Sequence, residues 1–311
     1  MRMKSTNNIN YELRPNKFVE RRMFISSLAR IMGYFKQKYQ YVGFGGIAFT
    51  DFKLIHKELN IEELHSIEKM YTKDKLEFNK RYAQIQIEQG ESTNVLTRLD
   101  LTKPTIIWLD YDNRLDPLMF DDLNLVLQNV PVGSIYVMSC NSLLKNEENE
   151  TMSLSELTDK FRDLVPFNLP ENCCAEKKAP TTVSRIIGDE CNRIIEKRNK
   201  LGDQVKFQKL YNFTYVDNKA PMITYGGIVL SNEMSITDLQ LNDFPFINTD
   251  GVLEICIPNF TLREMSCINH SITDEDAINH ELINKSIIKQ KEYENYKKFY
   301  KYIPNYFDVR L

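Results

Sequence analysis

Two β-rich segments near residue 220 constrain the fold more than any other feature of this sequence, because only five residues separate them. The segments are LYNFTYV at 210–216 and MITYGGIVL at 222–230, and the connection is DNKAP at 217–221. Parallel neighbours need a crossover of about a dozen residues or more, usually with a helix. Since so short a connection cannot supply that crossover, the sequence predicts that these two strands pair antiparallel as a hairpin.

Short β-rich runs alternate with helical patterns along the preceding part of the chain. The runs predicted as strands are 40–44, 63–68, 83–88, 105–109 and 134–138. Asp116-Pro117 is typical of a helix start, and apolar residues recur at helical spacing after it. Such alternation indicates a mainly parallel sheet covered by helices. The predicted fold class is α/β, with a Rossmann-like, mainly parallel sheet that ends in an antiparallel hairpin strand.

The strand pattern defines a central region with helical additions at the N-terminal and C-terminal ends. We predict a basic helical segment at 1–39, a Rossmann-like domain at 40–230, and an acidic loop with a helical extension at 231–311. The acidic loop has no lysine or arginine between residues 231 and 252. Lysines alternate with aromatic residues at 296–302, which suits either a helix packed on the domain or stacking on single-stranded nucleic acid.

Charge is distributed unevenly along the chain. The sequence has 40 Lys and Arg against 43 Asp and Glu, a net charge of −3, yet residues 1–40 alone carry +7. That segment predicts either a helix with a solvated basic face or a surface that binds phosphates. For the second case we predict substrate contacts at Arg14, Lys17, Arg21 and Arg22. Such contacts would favour a nucleic acid or a nucleotide as the substrate.

Composition and hydropathy exclude several other classes of protein. Hydrophobic residues make up 42% and charged residues 27%, as in ordinary globular chains. We find no run of about 18 apolar residues and no secretory signal, and we expect a cytoplasmic protein that does not enter the membrane. The six cysteines form no C-x-x-C motif and no cluster with histidine, so we predict no metal site and reduced thiols. The sequence leaves open whether the protein binds a protein partner or forms a homo-oligomer.

A glycine turn after the first predicted strand is the first candidate binding site. It reads VGFGG at 42–46, and the helix that follows presents free backbone N–H groups. Glu68 ends the next strand 23 residues after Gly45, where a carboxylate can accept both hydroxyls of an adenosyl ribose. The alternative is a simple turn beside an exposed acid at the end of a strand.

Five strands in βα succession followed by a hairpin are the layout of class I S-adenosylmethionine-dependent methyltransferases. Residues 40–230 resemble that superfamily, and the whole chain is similar to a bacterial group labelled as O-methyltransferases. The resemblance implies S-adenosylmethionine as the cofactor and assigns cofactor contacts along four strands. These contacts are Gly43 and Gly45 in the glycine motif, Glu68 at the ribose, Glu91 near the adenine, and Asp110 as the fourth-strand acid.

The sequence departs from that family at its first strand. An acid usually stands two positions before the first glycine, where this chain has Tyr41. We predict an S-adenosylmethionine-dependent methyltransferase that acts on an oxygen or nitrogen nucleophile of an unidentified acceptor. Because the first-strand acid is missing, the alternative is a non-catalytic Rossmann-like module that binds a nucleotide or a protein.

The acidic sequence after the most hydrophobic strand is the candidate catalytic site. Asp110-Tyr111-Asp112 follows TIIWL, and ligands of open α/β sheets bind at the carboxyl ends of strands. For methyl transfer we predict Asp112 as the base and Tyr111 as a wall or hydrogen-bond donor. One alternative is that Asp110 caps backbone amides and Asp112 forms a turn with Asn113. Another is that Asp110, Asp112 and Asp116 bind a divalent cation.

Overall fold

The computed structural model describes residues 14–217, 220–247, 249–272 and 278–303. Within them the strands are β1 (Gln40–Gly43), β2 (Glu63–Glu68), β3 (Ile85–Gln89), β4 (Thr105–Arg114), β5 (Ile135–Asn141), β6 (Val205–Asp217), β7 (Ala220–Ser231) and β8 (Leu253–Ile255). The α-helices are α1 (Pro15–Phe35), α2 (Thr50–Leu59), α3 (Lys73–Asn79), α4 (Ser92–Leu96), α5 (Leu118–Asn129), α6 (Leu154–Phe161), α7 (Ala179–Lys200), α8 (Leu262–Ser271), α9 (Ile278–Asn284) and α10 (Gln290–Phe299).

All of these strands join one sheet in the order β3-β2-β1-β4-β5-β7-β6-β8. The pairs from β3 through β5 are parallel, whereas β7 is antiparallel to both β5 and β6. The predicted hairpin and the predicted α/β fold class are therefore confirmed. Because β1 pairs with β2 on one side and β4 on the other, the order of the strands reverses at β1. Ligands of open α/β sheets bind at such a point.

The fourth strand is longer than the sequence predicts. It continues to Arg114, with an irregularity in its pairing to β5 between Asp110 and Arg114. The expectation that Asp112 and Asn113 form a turn is therefore wrong, because both residues lie within β4.

Helices cover both faces of the sheet. Apolar side chains of α5 and α7 pack on one face, and those of α1 and α2 pack on the other. The basic N-terminal helix thus contributes directly to the core, and the ring of its Phe24 stacks on Trp108 of β4 with centroids 4.6 Å apart. Helix packing of this kind buries a continuous apolar surface and stabilises the sheet.

The N-terminal end of α1 is fixed by residues that are distant in the sequence. Asp217, at the end of β6, accepts a hydrogen bond from the backbone N–H of Lys17 at 3.0 Å. The side chain of Asn16 donates to the carbonyl of Val216 at 3.0 Å and accepts from the N–H of Ile257 at 2.9 Å. Asp217 therefore acts as a cap for a helix whose own first turn has no acidic residue.

The C-terminal helices form a small cluster of their own around Ile268 and Tyr296. Tyr296 and Phe299 of the lysine- and aromatic-rich segment are buried, and the Tyr296 hydroxyl donates to Asn269 at 2.9 Å. These contacts favour a helix packed on the protein over a surface on which single-stranded nucleic acid stacks. None of the helices in the described ranges has the length and hydrophobicity needed to cross a membrane.

Candidate functional site

The glycine turn between β1 and α2 lies against the end of β2. The backbone N–H groups of Gly45 and Gly46 donate to the carboxylate of Glu68. A side chain at Gly45 would collide with the Ser66 hydroxyl and with the Phe49 ring, whose nearest carbon lies 2.7 Å from the position of a Cβ atom. Gly46 has a φ of +53° and open space around it. Close packing thus requires glycine at position 45, and backbone conformation favours it at position 46.

The Glu68 carboxyl group is buried but only partly used by the protein. Its Oε1 atom has no hydrogen-bond partner within the described part of the chain. Burial raises the pKa of Glu68 to about 7, the Gly46 and Gly45 amides oppose that rise, and the charge of Asp112 adds to it. The carboxyl group therefore keeps its proton to a higher pH than an exposed glutamate does, and it has one acceptor atom still available.

An open cleft of about 350 Å³ lies beside Glu68, at the carboxyl ends of β2 and β3. It is lined by Glu68, Lys69, Met70, Tyr71, Thr72, Gln89 and Gly90. Glu91 stands at the edge of this cleft and pairs with Lys69, Oε2 to Nζ, at 2.7 Å. The structure therefore brings the predicted ribose acid and the predicted adenine-side acid to one opening. Lys69 was missed by the sequence interpretation, although it directly follows Glu68.

Asp112 and Tyr111 extend from the end of β4 in different environments. Asp112 is exposed and close enough to Glu68 to influence the pKa of that carboxyl group. The Tyr111 hydroxyl donates to Asp122 at 2.6 Å, and its ring packs edge-on against Phe44 of the glycine turn at 5.1 Å. Burial, helped by the Asp122 charge, raises the pKa of Tyr111 well above its usual value. The Tyr111 hydroxyl is thus held as a hydrogen-bond donor, which does not suit it to act as a base.

Asp110 belongs to a separate cluster beneath α1. Its Oδ2 lies 3.0 Å from Nζ of Lys17, which also lies 2.8 Å from Glu20 and 4.3 Å from the centroid of the Trp108 ring. Burial opposes the ionisation of Asp110, but Lys17, Arg14 and Arg21 together hold its pKa below the usual value. Asp110 is therefore a carboxylate that is kept ionised by internal cations.

Three of the four α1-region cations predicted as substrate contacts point inward and are buried. Lys17 is fully buried between Asp110 and Glu20, Arg21 is buried against Asp51, and Arg14 pairs with Asp217 at 3.6 Å. Buried cations paired with carboxylates are poorly placed to contact the phosphates of a substrate. Arg22 alone among the four is well exposed, 40% by side chain, and pairs with Glu58 at 3.2 Å.

The position of the missing first-strand acid is buried, and acids from other elements surround it. Burial raises the pKa of Tyr41 well above its usual value, and the charges of Asp51 and Asp110 raise it further. Glu20 of α1 lies in the same cluster, and burial raises its pKa while Lys17 opposes the rise. Carboxylates from α1, α2 and β4 therefore lie around the residue that replaces the expected acid. Among the described residues, no group of three or more His, Cys, Asp or Glu is arranged to hold a metal ion.

The sequence matches a known protein family over nearly its whole length. The family model described as "Putative O-methyltransferase" matches residues 9–311. The match confirms the resemblance seen in the sequence. No protein of curated function matches the chain.

Distant similarity to solved structures extends over about two thirds of the chain. LepI in complex with SAH and a substrate analogue is 12% identical, with a TM-score of 0.32, and the match covers 62% of this chain and 43% of the LepI chain. Trm1 from Pyrococcus horikoshii with S-adenosyl-L-methionine is 8% identical, with a TM-score of 0.44, and covers 70% and 56%. SAH-bound PaMTH1 from Podospora anserina is 10% identical, with a TM-score of 0.33, and covers 67% and 78%. The chain thus spans about half the length of the first two.

Proposed function

Because the chain belongs to this O-methyltransferase family, we propose that it transfers the methyl group of S-adenosylmethionine to an oxygen nucleophile of its substrate. One observation carries the proposal. Glu68 lines an open cleft, and its buried Oε1 atom has no hydrogen-bond partner within the residues that the structure describes. A buried acceptor without a partner is costly unless a ligand satisfies it.

The residues at the cleft fit an adenosyl group. A ribose diol offers two O–H donors, and Glu68 has an acceptor atom to receive them. Lys69 and Glu91 provide a polar rim, and Gly90 and Met70 leave space between them. Bound S-adenosylmethionine would supply the methyl group on a positively charged sulfur. The exposed Asp112 places a carboxyl group near the end of β4, which favours a cation there.

Asp112 is the best candidate for the proton acceptor. It is exposed on β4, so a substrate hydroxyl can reach it, and it lies near Glu68. A base within hydrogen-bond reach removes the proton that an oxygen nucleophile loses on methylation. Asp110 is less suited to this role, because its nearest partner is the ammonium group of Lys17.

The basic residues of α1 do not indicate what kind of molecule accepts the methyl group. Lys17, Arg21 and Arg14 are engaged by buried or nearly buried carboxylates, which removes the main argument for a nucleic-acid substrate. A second candidate function is the non-catalytic binding module. Tyr41 at the position of the first-strand acid favours it, because the family normally places a carboxylate there.

Labelled methyl transfer from S-adenosylmethionine tests the proposal. Wild-type protein, Asp112→Asn and Asp116→Asn would be incubated with fractions of cell extract that separate small molecules, RNA, DNA and protein. General-base catalysis is worth about a hundredfold to ten-thousandfold, so Asp112→Asn should lower incorporation at least about a hundredfold. Asp116→Asn, at the start of the next helix, should stay within about threefold of wild type.

The binding of S-adenosylhomocysteine should change by less than about threefold in Asp112→Asn, because that substitution leaves Glu68 and the glycine turn intact. Equal incorporation by wild type and Asp112→Asn would remove Asp112 from catalysis. Binding without incorporation into any fraction would favour the non-catalytic module.

A further inference from the structure

A buried carboxylate on α5 joins segments that the site requires. Asp122 is 1% exposed and accepts hydrogen bonds from three hydroxyl groups. The donors are Ser92 Oγ, Thr93 Oγ1 at 2.6 Å and the Tyr111 hydroxyl at 2.6 Å. A carboxylate has about four acceptor positions, so a single side chain can hold all three donors at once.

The three donors come from two segments, the start of α4 and the end of β4. Ser92 and Thr93 begin α4 directly after Glu91, which stands at the cleft edge. Tyr111 lies between Asp110 and Asp112 near the end of β4. The strands that lead into the two segments, β3 and β4, are not neighbours in the sheet, and the Asp122 carboxylate on α5 contacts both segments.

The same side chain also reaches the glycine turn through one intermediate. The Tyr111 ring packs edge-on against Phe44, the residue between Gly43 and Gly45. Rotation of Tyr111 would therefore change the packing of the turn whose amides hold Glu68. Asp122 thus limits the freedom of the β3–α4 connection, the end of β4 and the glycine turn together.

We propose that Asp122 is a positioning residue of the cofactor site, which fixes Glu91 and Asp112 relative to each other through Ser92, Thr93 and Tyr111. The inference rests on the proposed function, since it assigns Asp122 to the same site. Asp122 acts through its neighbours and is not itself expected to touch the cofactor, because it is buried beneath them. An amide at this position has a single acceptor oxygen and adds two donors, so it cannot hold the three hydroxyls together.

The test compares Asp122→Asn with Asp121→Asn, which changes the adjacent, exposed residue of the same helix. Hydrogen exchange should show loss of protection in 91–96 and 110–114 together for Asp122→Asn and in neither segment for Asp121→Asn. The Kd for S-adenosylhomocysteine and the KM for S-adenosylmethionine should rise at least about tenfold in Asp122→Asn. A general loss of stability would instead reduce the active fraction without changing the KM.

Variants that remove the hydroxyl donors of only one segment keep the proposal testable if Asp122→Asn does not fold. Tyr111→Phe and the pair Ser92→Ala with Thr93→Val each remove one side of the link. The variant that combines both changes should raise the Kd for S-adenosylhomocysteine by less than the product of the two separate fold-changes. Either change alone already frees the segments from each other. Independent, multiplicative effects would overturn the proposal, as would wild-type exchange and affinity in folded Asp122→Asn. Wild-type protein that binds no S-adenosylhomocysteine would refute the proposed function, and the exchange experiment would then decide the structural link by itself.

Discussion

The acids at the carboxyl edge of the sheet lie in two regions that differ in how far cations compensate them. Beneath α1, a closed cluster pairs every acid with a cation; we call it the α1 charge cluster, and it consists of Arg14, Lys17, Glu20, Arg21, Asp51, Asp110 and Asp217. On the other side of β1 lies an open cleft that Glu68 lines; we call it the acidic cleft, because Glu91 directly follows its lining residue Gly90 and the charge of Asp112 acts on Glu68. Glu91 pairs with Lys69.

The contrast explains how the protein uses its basic N-terminal helix. Buried ions are stable only when partners compensate them, and α1 supplies the cations that Asp110, Asp51 and Asp217 need. In the acidic cleft, burial instead raises the pKa of Glu68 to about 7, and no internal cation lowers it. The α1 charge cluster therefore compensates its acids with cations of the chain, whereas the acidic cleft has a buried acceptor on Glu68 that a ligand can satisfy.

Removing the central cation should break the closed region. Lys17→Met leaves Glu20 and Asp110 buried without their shared partner, and the loss of one member of a buried pair costs about 3–5 kcal/mol of unfolding free energy. Adding Glu20→Gln should recover at least about 1 kcal/mol, because the two residues interact directly. Chemical denaturation measures both values.

The control for this experiment is Arg22→Ala, which removes an exposed pair and should cost less than about 1 kcal/mol. A loss of stability in Lys17→Met no larger than that in Arg22→Ala would contradict the distinction between the two regions.

In the acidic cleft, replacing Glu68 with a neutral residue should stabilise the ligand-free protein by an amount that depends on pH. The pKa of Glu68 in the folded protein, about 7, lies above the ordinary value of 4.5. Ionisation of this carboxyl group therefore lowers the unfolding free energy as the pH rises, and the loss reaches its full size above pH 7. Glu68→Gln should therefore raise the unfolding free energy by up to roughly 3 kcal/mol at pH 8 but by less than about 1 kcal/mol at pH 5. Denaturation at both pH values tests this, and an equal effect at the two would show that the Glu68 charge is not responsible.

The glycine turn gives a smaller and sharper comparison. At Gly45 a methyl group meets Ser66 and Phe49, so Gly45→Ala should cost about 1–3 kcal/mol through overpacking. At Gly46 the space is open and only the positive φ is unfavourable, so Gly46→Ala should cost about 1 kcal/mol. Thermal unfolding of the two variants ranks them, and a larger loss at Gly46 would mean that packing against β2 is not what requires glycine in this turn.

The parallel and antiparallel pairing of the strands could be predicted because it depends on local signals. The short connection at 217–221 forced a hairpin, and the βα alternation indicated parallel pairing. Glu68 could be placed beside the glycine turn for the same reason, since both follow directly from the ends of adjacent strands.

The inward orientation of the α1 cations was missed because charge was treated as a sign of exposure. Lys17, Glu20 and Arg21 fall on the same helical stripe as Phe24 and Leu28, at spacings of three and four residues. That position predicts burial, but the partners that permit it, Asp51 and Asp110, come from α2 and β4. Only the folded chain brings them together.

Asp122 carried a similar signal on α5. It stands three residues after Met119 and four before Val126, both of which are buried. A charged residue on an apolar stripe indicates a buried polar contact. Its three hydroxyl partners could not be identified from the sequence, because they depend on how α4 and β4 pack against α5.

Calorimetric titration with S-adenosylhomocysteine tests the central claim most directly, that the acidic cleft binds the adenosyl group through Glu68. Wild-type protein should bind, and Glu68→Gln should raise the Kd at least about tenfold, the scale of a hydrogen bond to a charged group, even though that variant is the more stable one at pH 8. Glu62→Gln, an exposed change just before β2, should leave the Kd within about twofold of wild type. The same Kd for Glu68→Gln and wild type, or no binding by wild type, would contradict the claim.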